Sequence, residues 1–194
     1  MIVYRLTNGE FTHDLSGKGA KLYGGRWNSF GLPAVYTTEH ISLAVLEILV
    51  HVKTFQTPLN YYLITLEIPQ SVPLLSIDYE KLKKNWKDDP SYLQAIGDEF
   101  LHSKKSLVLK VPSAIIEVEN NFIINPAHPD IEKIKILNAE NFTFDKFAPF
   151  VNGNNINAIF NELSDAIYHI ERNGNAKIIL TDLSIKLTRL IHKK

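Results

Sequence analysis

Short β-branched and aromatic runs mark both ends of the first three quarters of the chain, and helical periods fill its middle and its end. Ile2-Val3-Tyr4-Arg5-Leu6-Thr7 predicts a strand. Asn8 to Gly31 holds six glycines and little hydrophobic period, a length of loop that in an ordered protein tends to carry function. Ala34 to Thr38 predicts a second strand. Ile41 to Val52 is an almost continuously apolar helix interrupted by Ser42, Glu47 and His51, and a helix of that kind is buried. Asn60 to Ile68 predicts a strand stopped by Pro69. Residues 79–103 read as helix in two pieces, split where Asp88-Asp89-Pro90 ends one and starts the next. Ser106 to Val111, Asn121 to Ile124 and Ile134 to Leu137 are three further strands. Strands at both ends with helices between them imply an α+β fold with a mixed or antiparallel sheet.

From residue 146 the texture changes. Ile156, Ile159, Phe160, Leu163, Ile167 and Ile170 recur at helical spacing, Asn173-Gly174-Asn175 is a stop and turn, and Ile178 to Ile191 is a second amphipathic run. This predicts a helical hairpin that needs a partner surface, because a lone hairpin buries too little. Charge follows the same division. The 194 residues are neutral overall, but residues 1–145 hold 14 basic and 17 acidic groups against 7 and 4 in residues 146–194. Two units are therefore expected, 1–145 and 146–194.

A neutral total lacks the electrostatic footprint of a nucleic-acid binder. Apolar runs are too short for a bilayer, and Met1 leads into a strand without a cleavable signal, so a cytoplasmic location away from membranes is expected. Without cysteine there is no disulfide, thiolate zinc site or cysteine nucleophile, and the seven histidines show no zinc-type spacing, so no metal is expected.

Only two of the four arginines, Arg5 and Arg26, lie in the first 145 residues. Arg26 sits in Tyr23-Gly24-Gly25-Arg26-Trp27-Asn28, where glycines let backbone approach a ligand and a guanidinium fork suits phosphate or carboxylate oxygens. The plainer reading pairs Arg26 with a surface acid. Glu47 interrupts the apolar helix and must be paired, protonated or turned to a cleft; the plainer reading pairs it with His51 on a wet edge. Ser113 ends a strand after Pro112 without a nucleophile elbow around it, and a turn hydrogen bond is the plainer reading there.

Taken together, Tyr4-Arg5, Gly24-Gly25-Arg26-Trp27-Asn28, Val35-Tyr36-Thr37, Leu46-Glu47 with His51, Val111-Pro112-Ser113 and Asn120-Asn121 through Asn125-Pro126 resemble the RES domain, in order over residues 1–145. The resemblance implies a compact fold similar to ADP-ribosyltransferases. It implies the toxin of a bacterial type II toxin-antitoxin pair, an Xre-type antitoxin as partner, and NAD as a substrate whose nicotinamide-ribose bond is cleaved. ADP-ribose would pass to water, phosphate or a protein, making the enzyme an NAD glycohydrolase, phosphorylase or ADP-ribosyltransferase. On that resemblance Glu47, Arg5 and Ser113 are the catalytic positions, while Arg5, Arg26, Tyr36 and Asn121 bind NAD.

The tail, in Lys146 to Asn155, Tyr168 to Lys177 and Asp182-Leu183-Ser184, resembles the C-terminal end of the DNA polymerase III delta-prime subunit. With only that segment present, a fused helical piece without polymerase function is expected, docking on the body or promoting oligomerisation. The competing reading is a catalytically silent module that pairs with an antitoxin or with clamp-loader subunits.

Overall fold

The computed structural model describes residues 1–50, 61–143, 155–172 and 174–192. The helix end expected at Val52, the partner His51, the strand start at Asn60, the boundary at Asp145, the lead-in from Lys146 and the turn residue Asn173 lie outside the described residues. Two compact units form, the first ending at Asn141 and the second running from Phe142.

The first unit is built on seven strands, β1 (Ile2–Asn8), β2 (Val35–Thr38), β3 (Tyr61–Glu67), β4 (Leu74–Ser76), β5 (Val108–Pro112), β6 (Asn120–Ile124) and β7 (Lys135–Phe142). They lie in the order β4-β5-β6-β2-β1-β3-β7. β4 and β5 are parallel, while the ladders joining β5, β6, β2, β1 and β3 are antiparallel. The expected α+β fold with a mixed sheet is what forms.

Strand alternation sends neighbouring residues into different cores. Phe122 and Ile124 join Val3, Val35, Ile64 and Leu66, while Ile123, between them, joins Trp27, Trp86, Leu93 and Phe100. Three helices accompany the sheet: α1 (Lys18–Tyr23), α2 (Ile41–Leu49) and α3 (Pro90–Ser103). α2 packs against β1 and β2 through the buried Leu43, Ala44 and Val45. α3 starts at Pro90, whose missing N–H costs nothing in a first turn, with the Asp89 side chain capping the Tyr92 N–H.

The pattern over residues 79–88 predicts a helix, but the chain makes two 3-10 turns there, Tyr79–Lys81 and Trp86–Asp88. Leu82 between them is extended, which lets Leu82 and Trp86 both reach the core while Lys81, Lys83 and Lys84 stay in water. Two short elements, α1 and β4, lack enough periodic residues to stand out in the sequence.

β1 pairs with β3 along its whole length but with β2 only at Tyr4 and Thr38. Beyond that point the two central strands part. Arg5 and Leu6 on one side, and Thr37 and Tyr36 on the other, face a shared cleft.

In the second unit α4 (Ile156–Glu171) and α5 (Ala176–His192) form the expected hairpin. Gly174 donates its N–H to the His169 carbonyl to close α4, and the Asn175 side chain caps the N–H groups of Lys177 and Ile178. Lys186 bridges the helices to Glu162 at 2.8 Å. Among the described residues no helix is long and apolar enough to cross a membrane.

Of the described glycines in the first unit Gly97 has the least room, since a Cβ built there would lie 1.7 Å from the Trp27 carbonyl oxygen. Gly97→Ala should destabilise the protein by about 2 to 3 kcal/mol, as overpacking against backbone does. Thermal unfolding followed by circular dichroism should show melting roughly 5 to 10 °C lower.

Candidate active site

The cleft beside the parted strands has a volume of about 720 Å³, and Arg5, Arg26, Tyr36, Glu47 and Asn121 all line it. Five positions scattered between residues 5 and 121 therefore share one cleft. Ser113 is fully buried and does not face the cleft; its hydroxyl reaches the site only through Glu47.

Glu47 is half-buried on α2, and one of its oxygens accepts two hydrogen bonds. Ser113 Oγ donates at 3.1 Å and Asn121 Nδ2 at 2.6 Å. Ser113 in turn accepts from the N–H groups of Ile115 and Ile116 at 3.0 and 3.2 Å, so the loop after β5 fixes the hydroxyl that fixes the carboxylate. The turn hydrogen bonds read from the sequence and the contact with Glu47 thus coexist on one side chain. Asn121 Oδ1 is buried without a hydrogen-bond partner, although its residue lines the cleft. A buried amide oxygen in that state is costly and suits a donor brought by a ligand.

The two arginines are pinned by one nitrogen each. Arg5 Nη1 donates to the Asp14 carbonyl at 2.9 Å and Arg26 Nη1 to the Lys87 carbonyl at 2.9 Å. Neither contact uses up the guanidinium fork. Burial lowers the pKa of Arg5, and the nearby Asp14 charge offsets part of that. Asp14 itself is held below the usual carboxylate range by hydrogen bonding to Ser16, with Arg5 adding to the effect.

Arg26 owes its place to a loop held from behind. Gly25 donates its N–H to the Asn28 carbonyl, and a Cβ on Gly25 would lie 2.5 Å from Tyr36 Oη and 2.6 Å from Asn28 Oδ1. The fully buried Asn28 donates to the carbonyls of Ala20, Ser29 and Leu32 and accepts from Tyr36 Oη at 2.7 Å. Tyr36 Oη also accepts from the Trp27 N–H at 3.0 Å. On α3, Gln94 donates to the Gly25 carbonyl and Asp98 accepts from the Ser29 N–H. Gln94, Gly97 and Asp98 stand at i, i+3 and i+4, one helix face turned to this loop. That spacing is visible in the sequence, but the partner loop is not.

A second tie joins the start of α2 to β6. Glu39 accepts from the backbone and side-chain N–H groups of Asn120 at 2.9 and 3.1 Å, and His40 Nδ1 lies 3.2 Å from Glu119 Oε2. One side-chain oxygen or nitrogen each from Glu39, His40 and Glu119 falls within 4.8 Å of the others, a spacing that could hold a cation. The histidine spacing gave no sign of this group, because two of its members come from segments about eighty residues apart.

Two guanidinium groups with N–H donors to spare, a pinned carboxylate and an aromatic ring thus line one cleft in the parting of two central strands. Residues 2–145 match the RES domain family, and the chain belongs to that family. It is 42% identical over 135 residues to Toxin Res of Photorhabdus laumondii, covering 69% of this chain and 86% of that protein. It is 39% identical over 137 residues to the Prs ADP-ribosylating toxin of a Sphingobium species, covering 68% and 84%. The fold is also that of a chain in the crystal structure of the M. tuberculosis MbcT-MbcA toxin-antitoxin complex, with a TM-score of 0.60, 22% identity and coverage of 73% and 84%.

Tyr36→Phe should leave the buried Asn28 oxygen and the Trp27 N–H short of a partner and cost about 1 to 3 kcal/mol at neutral pH, read by denaturant unfolding. Burial raises the Tyr36 pKa above its ordinary value of 10.0. The unfolded chain therefore loses this proton first, and stability falls as pH rises above about 10, by up to about 1.4 kcal/mol per pH unit. The phenylalanine variant should lack that part of the alkaline slope.

Proposed function

We propose that the protein is the toxin of a type II toxin-antitoxin pair and consumes NAD by breaking its nicotinamide-ribose bond. The observation that carries this reading is the Glu47 carboxylate, fixed by Ser113 and Asn121 on the wall of a cleft that also holds Arg5, Arg26 and Tyr36. NAD carries a pyrophosphate for the guanidinium forks and a cationic nicotinamide for the Tyr36 ring. The relatives named for toxins, one of them for ADP-ribosylation, support the same assignment.

In the reaction the bond between ribose C1′ and the nicotinamide nitrogen breaks, and its electron pair leaves with the nitrogen, which becomes neutral. Positive charge develops on the ribose, where Glu47 stabilises it and holds a ribose hydroxyl. A carboxylate already fixed by two donors does not have to reorganise as that charge appears. Ser113 acts through Glu47, and the open oxygen of Asn121 accepts from the nicotinamide amide or a ribose hydroxyl. Water, phosphate or a protein side chain then attacks C1′, giving up its proton where it carries one.

Residues 1–145 make up the active body, and the helical segment from 146 on takes no part in the chemistry. The partner is an antitoxin of Xre type, and the supply of NAD places the pair in the cytoplasm.

Incubating the full chain with NAD, with and without phosphate, and identifying products by mass should show nicotinamide release and name the acceptor. Glu47→Gln should lower the rate by at least about 10²-fold and Ser113→Ala by about 10-fold or more, both measured against the melting temperature of each variant. NAD consumption at the full rate by a folded Glu47→Gln protein would falsify the assignment.

A further inference from the structure

We propose that Lys87 is a further diphosphate-binding cation of the cleft, held on Glu117 until a substrate phosphate replaces that carboxylate. The inference rests on the reading of the cleft as a site for NAD and adds to it residues from two segments that the sequence motifs do not touch.

Lys87 lies in the 3-10 turn Trp86–Asp88 and lines the cleft. Its carbonyl receives the Arg26 guanidinium, so the two cations share one stretch of wall. The Lys87 ammonium stands 2.5 Å from Glu117 Oε1, in the loop that begins at Ser113, and 5.7 Å from the Trp86 ring centroid. Glu117 is 48% exposed, Lys87 is 33% exposed, and Glu117 is not among the residues facing the cleft.

This pair spans the turn on one side and the loop after β5 on the other. A pair so open to water contributes little and exchanges readily. A diphosphate in the cleft offers the ammonium oxygens of higher charge in a drier place, where the same contact is stronger. Charge in the cleft points the same way. Among the described residues lining the cleft, three cations, Arg5, Arg26 and Lys87, stand against one carboxylate, Glu47. With Glu47 given to the nicotinamide-ribose end, three cations remain to receive the two negative charges of a pyrophosphate. No bond is made or broken in the exchange; Glu117 simply returns to solvent.

The test compares wild type, Lys87→Met, Lys87→Arg, Glu117→Gln and the double variant Lys87→Met with Glu117→Gln. NAD consumption gives KM and kcat, calorimetry with inorganic pyrophosphate gives Kd, and melting temperature checks folding. Lys87→Met should raise KM for NAD and Kd for pyrophosphate about tenfold while kcat moves less than about threefold. Lys87→Arg should keep most of the binding. Glu117→Gln should tighten both constants about threefold, and that gain should vanish when Lys87 is already methionine, because the carboxylate acts by competing for the ammonium. NAD consumption with KM and Kd unmoved by Lys87→Met would overturn the inference and leave the NAD reading standing. A Glu117→Gln gain that survives in the double variant would overturn it as well. Pyrophosphate binding that depends on Lys87, without any NAD consumption, would support the cation site and remove the NAD reading.

Discussion

A carboxylate in the middle of an apolar helix has to be stabilised where it stands, and the arrangement of the first unit around Glu47 follows from that constraint. An unpaired ionised carboxylate among Val45, Leu46 and Ile48 would cost more than the helix gains by burying them. Among the described residues no cation is paired with it. Instead the ends of two neighbouring strands, β5 and β6, bring up a hydroxyl and an amide. Neutral donors satisfy the oxygen yet leave its negative charge uncancelled. The charge therefore remains available to a cationic partner in the cleft, which an arginine in the same place would have quenched.

The opposite wall is governed by shape. Arg26 can reach the cleft only if Gly25 lies flat against Tyr36 and Asn28, and the loop keeps that course because Gln94 and Asp98 hold its backbone while Gly97 lets the helix approach Trp27. The buried tryptophans Trp27 and Trp86, with ring centroids 6.3 Å apart, join this loop to the 3-10 turn bearing Lys87. Packing thus sets where both basic groups stand. Substitutions on α3 that never touch a ligand will reach the cleft through the same backbone contacts.

Much of this was legible in the sequence. The glycine-flanked Arg26, the lone Glu47 of an apolar helix and Ser113 at a strand end are local anomalies, each violating a pattern its neighbours keep, and the cleft gathers or supports all three. Six of the seven strands and the hairpin also followed from periodicity, though β4 did not stand out and β7 runs on to Phe142, past the expected end at Leu137. What stayed hidden was relational. That β1 and β2 part after Tyr4 depends on register, and that Ser113 touches Glu47 rather than the cleft depends on depth, neither of which a single chain position encodes. Residues 79–88 misled for a different reason: Leu82 and Trp86 are four apart like helix residues, but tertiary burial placed them by breaking the helix between them.

Scarcity of arginine in the first 145 residues gains a physical meaning from these contacts. Lysine serves where a cation faces water, as in the pairs with Asp78 and Asp130. Arg5 and Arg26 appear where one nitrogen must anchor to a backbone carbonyl while the rest of the group stays free for another partner. An ammonium has three donors on one atom and cannot divide itself between two distant acceptors; a planar fork can. The choice between the two residue types therefore separates cations that anchor and bind at once from cations that only pair. Lys87 sits at the border of the two groups, since its backbone does the anchoring for Arg26 and its side chain is left to change partners.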